Sequence, residues 1–94
     1  MDDRQFAAIA KALADPRRYG ILSEIAAAAD PLPCCGLQAA GAVSAATISH
    51  HIKALETAGL ITVVRHGRFA ELGFRRATVE AYMKRLAESL MPRA

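Results

Sequence analysis

Three groups of residues in this 94-residue sequence carry side chains able to do chemistry. Two thiols are adjacent at Cys34 and Cys35. Two imidazoles are adjacent at His50 and His51, with Ser44, Thr47, Ser49 and Lys53 around them. Arg65, His66 and Arg68 gather about Gly67. Neighbouring thiols allow three roles: small packing groups, chelation of a soft thiophile such as a trivalent arsenical, or a redox switch with thiolates favoured by a helix N-terminus. Adjacent cysteines on a helix point about 100° apart, so a vicinal bridge or chelate would distort the start of that helix. A zinc finger from Cys34, Cys35, His50 and His51 lacks the ligand spacings, and Glu80 with Glu88 alone makes a poor zinc site. No metal site is therefore assigned and no cofactor is required. A Cys–His nucleophile has no third orienting group, so no enzymatic activity is expected.

The third group points to a different chemistry. The chain has 12 basic and 9 acidic residues, net +3. Residues 44 to 76 alone hold Lys53, Arg65, Arg68, Arg75 and Arg76 against Glu56 and Glu71, which is also +3, and all three histidines lie there. A localised basic segment suggests a polyanion partner.

These groups need elements to position them. Of the 94 residues 21 are alanine, and only six Gly and four Pro interrupt them, which favours helices. Residues 3 to 14 read as a first helix, with Phe6, Ile9 and Leu13 recurring on one side. Asp15-Pro16 ends it and starts a second, Asp as N-cap and Pro at the first helical position. That second helix runs to about Ala28, with Tyr19, Leu22, Ile25 and Ala26 directed inward. Asp30 to Pro33 reads as a loop, followed by a short helix from about Cys34 to Ala40 stopped at Gly41. Ser44 caps a helix over residues 45 to 58, and Gly59 ends it. Its Ile48, Ile52 and Leu55 form an apolar stripe with His51 beside it, while Ala46, His50, Lys53 and Thr57 lie opposite. Leu60 to Phe74 reads as a β-hairpin with His66-Gly67 at its tip, pairing Val63 with Ala70, Ile61 with Leu72, and Val64 with Phe69. A final helix covers about Ala77 to Met91.

The expected fold class is mainly α with a small β-hairpin (α+β). It is a single winged helix-turn-helix domain over residues 1–94, with five helices and the hairpin wing between the fourth and the fifth. The fourth helix would enter the DNA major groove N-terminal end first. Ala45, Ala46 and Thr47 are small enough to let its leading turn approach base edges. Ser44 offers a donor to a phosphate, and Ser49, His50 and Lys53 reach outward. Arg65, His66 and Arg68 form a compact cation for a neighbouring groove or the backbone. A winged-helix module for protein–protein contact is the alternative; the basic window and the small, polar outer face argue against it.

Two segments carry a resemblance to a known family. Residues 43 to 61, V-S-A-A-T-I-S-H-H-I-K-A-L-E-T-A-G-L-I, resemble the recognition-helix signature of the ArsR/SmtB bacterial repressors. Residues 12 to 22, A-L-A-D-P-R-R-Y-G-I-L, resemble their opening segment, and Arg65 to Arg68 their wing tip. The resemblance spans about residues 6 to 88. It implies a homodimeric repressor that leaves operator DNA when an inducer binds, with Ser44, Thr47, Ser49 and His50 in DNA contact and His51 packed at the helix flank. The first and last helices would form the dimer interface, through Phe6, Ile9, Leu13, Val79, Tyr82, Met83, Leu86 and Leu90. Metal-sensing members commonly carry Cys-x-Cys at the short helix, where this sequence reads Pro33-Cys34-Cys35, or His and acidic pairs on the last helix, which here has no His or Cys. The expected partners are double-stranded operator DNA and a second copy, with no membrane. No stretch of 18 apolar residues and no signal-peptide layout at the N-terminus occur, and the free cysteines fit a reducing cytoplasm.

Overall fold

The computed structural model describes residues 1–38 and 43–93. Helix α1 spans Asp3–Leu13, and the Asp2 carboxylate accepts the Gln5 amide at 2.8 Å to cap it. Helix α2 spans Pro16–Ala27. The Asp15 carboxylate accepts the amides of Arg17 and Arg18 at 2.9 and 3.1 Å, satisfying two donors that a helix start leaves orphaned. The bond from the Arg18 amide is the main cause of a carboxyl pKa below the usual 3.8.

The inward face of α2 holds Leu22 and Ile25 as expected and differs at Tyr19. Ile21, Leu22 and Ile25 are buried, whereas Tyr19 is 56% exposed. Tyr19, Leu22 and Ala26 lie along one edge of the apolar stripe. Periodicity gives the stripe but not which edge faces the neighbouring elements. Ile9, expected at a dimer interface, is also corrected: it has no exposed surface, so it belongs to the chain's own core.

After α2 the expected loop contains a strand. Leu32–Pro33 (β1) pairs antiparallel with the second hairpin strand, Leu32 opposite Leu72 and Pro33 opposite Glu71. Pro33 is tolerated because it sits on a two-residue edge strand, where a missing donor costs little. The expected short α-helix is a 3-10 turn, Cys34–Gly36. The chain leaves it because Leu37 takes extended backbone angles and the Gln38 amide donates to the Glu24 carboxylate at 2.6 Å. The rest of that expected helix, with its stop at Gly41, falls at residues 39–42, outside the described residues.

Helix α3 spans Ala45–Thr57 with Ser44 as N-cap. It closes with both bonds of a Schellman motif: the Leu60 amide to the Leu55 carbonyl and the Gly59 amide to the Glu56 carbonyl, each 3.0 Å. Gly59 has φ +83°, and a Cβ there would stand 2.8 Å from Gln5 Nε2. The hairpin follows as β2, Ile61–His66, and β3, Phe69–Phe74, giving a three-stranded sheet of order β1-β3-β2. Its register corrects the expected one: Ile61 pairs with Phe74, Val63 with Leu72 and His66 with Phe69. The loop is Gly67-Arg68 rather than His66-Gly67. Gly67 adopts φ +60° at the first loop position, where hairpin turns of the primed types favour glycine. The pairing shifts by two residues, so each side chain stays on the face the alternation assigned.

Helix α4, Arg76–Leu90, buries no residue fully. Val79 and Tyr82 lean on a core whose most enclosed members are Ile9, Ile21, Ile25, Leu55, Leu60, Ile61 and Leu72. Phe6 and Tyr82 stack with centroids 4.9 Å apart, and the Arg85 guanidinium lies 4.3 Å over the Phe6 ring while pairing with Asp3. Four α-helices and a 3-10 turn therefore replace the expected five helices among the described residues. Among them no helix is long and apolar enough to cross a membrane.

Candidate nucleic-acid interface

The two sides of α3 differ in chemistry because its sequence alternates at helical period. Ile52 and Leu55 are buried and Ile48 half-buried on one side. Ser44, Ala45, Ala46, Thr47, Ser49, His50 and Lys53 are all exposed. Ser44 Oγ accepts the Thr47 amide at 3.2 Å and lies 3.0 Å from Thr47 Oγ1, so it is occupied first in capping. The donors left at this helix start sit among alanines, which leave its leading turn open to close approach.

The adjacent imidazoles separate cleanly. His50 is exposed, while His51 keeps 6% of its surface and accepts the Arg18 Nε–H at Nδ1, 3.3 Å away. An accepting Nδ1 places the proton of the neutral ring on Nε2. Burial is the main cause that lowers the His51 pKa below 6.5; Asp15 opposes it, while Arg18, His50 and Arg17 add to it. His51 thus fastens α3 to the start of α2, and His50 is left for solvent or a ligand.

The wing presents Arg65, His66 and Arg68, all exposed. Arg65 lies 3.9 Å from Glu56 and His66 Nε2 3.6 Å from Glu71. An exposed pair such as Arg65–Glu56 contributes about 0–1 kcal/mol, so the Arg65 guanidinium exchanges readily for a phosphate. The sequence reading paired Phe69 with Val64. The structure leaves Phe69 72% exposed and Val64 exposed too, on the solvent side of the wing.

A cleft of about 330 Å³ joins the thiols to this surface. Cys34 and Cys35 line it together with Ala45 and Ser49 of α3 and Arg68 and Phe69 of the wing. Cys34 is half-buried and Cys35 exposed. The idea that a helix start favours both thiolates is corrected for Cys34. Burial, then the neighbouring Cys35, raises its pKa above 9.0, and a 3-10 turn supplies no extended helix dipole. Among the described residues no three His, Cys, Asp or Glu side chains gather as a metal site. Sequence reasoning did not find that Lys11 and Arg18, distant in sequence, share a groove with His50 and Lys53. Their positive charge was the only signal available.

This arrangement has counterparts among known proteins. Residues 13–64, more than half the chain, match the helix-turn-helix domain family. An ArsR-like transcriptional regulator from Rhodococcus sp. RHA1 is 26% identical over 92% of this chain and 79% of its own, with a TM-score of 0.75. A second ArsR family transcriptional regulator of known structure is 25% identical over 100% of this chain and 98% of its own, TM-score 0.78. The homodimeric winged helix-turn-helix DNA-binding domain of a possible ArsR-family regulator from Mycobacterium bovis shares the fold at 23% identity, covering 97% of this chain and 91% of its own, TM-score 0.66. No curated protein sequence matches the chain. With α3 exposed along one side, a basic wing beside it and these likenesses over nearly its whole length, the chain belongs to the helix-turn-helix domain family, as a winged helix-turn-helix DNA-binding transcriptional regulator of ArsR type.

Proposed function

We propose that this regulator acts as a homodimeric repressor that lays α3 in the operator's major groove and sets the wing on the neighbouring backbone. The observation that carries this reading is the cleft that joins exposed Ser49 of α3 to Arg68 of the wing, with His50 and Lys53 also exposed on a helix whose other side is sealed by Ile52, Leu55 and His51. Ser44, Ala46 and Thr47 complete the leading turn. In the proposed complex the wing cations meet phosphates and set affinity, and Ser49 and His50 meet base edges and set sequence preference.

A second copy would cover the terminal helices. Met83 is 61% exposed, and Leu86 and Leu90 are also exposed on a helix that buries nothing. Phe6, Leu13, Val79 and Tyr82 are half-buried beside them. The Cα radius of gyration, 14.1 Å, exceeds the about 12 Å of a compact chain of this length, which fits a protomer shaped to be completed by another. An inducer that reacts with Cys34 and Cys35, a trivalent arsenical or an oxidant, would act inside the cleft shared with Ser49 and Arg68.

A gel-shift titration against the chain's own promoter DNA tests the reading. Sequence-selective binding that weakens steeply with salt is expected. Arg68→Ala should weaken binding to all sequences, and Ser49→Ala should alter discrimination between them. Absence of selective binding at low salt would sink the proposal and leave a protein–protein module. Release from DNA by phenylarsenite or peroxide that persists in both Cys34→Ser and Cys35→Ser would remove the thiols from the mechanism.

A further inference from the structure

Helix α3 lies between two valleys, and the residues of α1 and α2 that line one of them have no role yet. On the wing side Ala45 and Ser49 face Arg68 across the thiol cleft. On the other side a groove of about 420 Å³ runs between α3 and α1, and Lys11, Arg18, His50 and Lys53 line it. Among the described residues that line this groove none is acidic. Ala8, Ala12, Ala54 and Ala58 also line it, so no long side chain fills it and a bulky anion has room to approach. Arg18 is held in place through its Nε bond to His51, and the Asp15 carboxylate, which accepts two amides, acts on both Arg18 and His51 from outside the groove lining.

A helix seated in the DNA major groove has a sugar–phosphate wall on each side, about 12 Å apart. The wing supplies cations toward one wall. We propose that the α1–α3 groove is the second phosphate-binding edge of the DNA interface, with Lys11 and Arg18 contacting the strand opposite the one held by the wing. This inference rests on the DNA-binding reading and adds to it residues from outside the recognition helix and wing. Because phosphates carry no base identity, these contacts raise affinity for every sequence alike and place α3 in register from both flanks.

The test is the salt dependence of DNA affinity for the whole chain, measured by fluorescence anisotropy on one promoter duplex and one unrelated duplex. Each lost phosphate contact lowers the slope of log K against log salt by about 0.9. Lys11→Gln should flatten the slope by that amount on both duplexes. Thr57→Lys, which adds a cation at the exposed rim of the same groove, should steepen it by a similar amount. Lys84→Gln, exposed on the side of α4 away from Val79 and Met83, should leave it unchanged. Binding by the unaltered protein with an identical slope in Lys11→Gln and in Thr57→Lys overturns the second edge and leaves the recognition reading intact. No salt-dependent binding by the unaltered protein overturns both.

Discussion

Helices α3 and α4 are similar in length, 13 and 15 residues, yet the protomer treats them in opposite ways. Helix α3 is closed at both ends, by Ser44 and by the Gly59 Schellman turn, and buries His51, Ile52 and Leu55. Helix α4 has no side-chain cap and buries nothing fully. The outer side of α3 is polar and small, whereas the outer side of α4 shows Met83, Leu86 and Leu90. One helix is finished within the protomer and offers chemistry; the other is left with apolar surface that water does not favour. The difference teaches that exposure alone does not identify a binding surface. The residue types exposed separate a side suited to a charged ligand from one suited to apolar contact.

The comparison can be broken most forcefully at Leu55, which has no exposed surface. Leu55→Ala should lower unfolding free energy by about 2–5 kcal/mol in urea titrations. A loss below about 1 kcal/mol would mean that α3 is less fixed than its contacts indicate. At α4 the expected change is in association instead. The unaltered protein should sediment near 20 kDa at micromolar concentration, twice the chain's 10.0 kDa, and Met83→Glu should shift it toward 10 kDa. A 10 kDa species in both would remove the contrast. Gly59→Ala sharpens the comparison at the end of α3. The left-handed backbone should cost about 1–2 kcal/mol, read from the urea midpoint, and the new Cβ must displace Gln5 from its bond to the Ala58 carbonyl. The smallest effect is expected from pH. With the His51 pKa lowered by burial, the unfolded chain binds a proton below pH 6.5 before the folded one does. Stability is therefore full above that pH and falls as pH drops toward the folded pKa. His51→Gln should remove this part of the pH dependence, and an unchanged profile would show that other groups produce it.

The sequence made some of this legible for local reasons. Asp15-Pro16, Ser44 and Gly59 mark helix ends through their own backbone and side-chain chemistry, and the structure puts caps at all three. The split between His50 and His51 followed from helical stepping. What stayed hidden depends on distant partners. Tyr19 and Ile21 exchange places because the neighbours of α2 decide which edge of its stripe is covered. The hairpin register turned on which loop position Gly67 occupies, which composition does not fix. Strand β1 is two residues long and exists only because β3 lies beside it. The groove that unites Lys11 with Lys53 joins residues of α1 and α3, and no spacing along the chain signals it.

That two-residue strand has a further consequence, in the order in which the molecule comes apart. The hairpin closes across two loop residues, but Leu32 and Leu72 are 40 positions apart. Closing the longer loop sacrifices more chain entropy in return for only two paired positions, so β1 should zip last and open first. The segment carrying Cys34 and Cys35 hangs directly from it. Native-state hydrogen exchange would then find the amides around the thiols opening well before those of α3, which lets the cysteine turn rearrange while α3 stays folded.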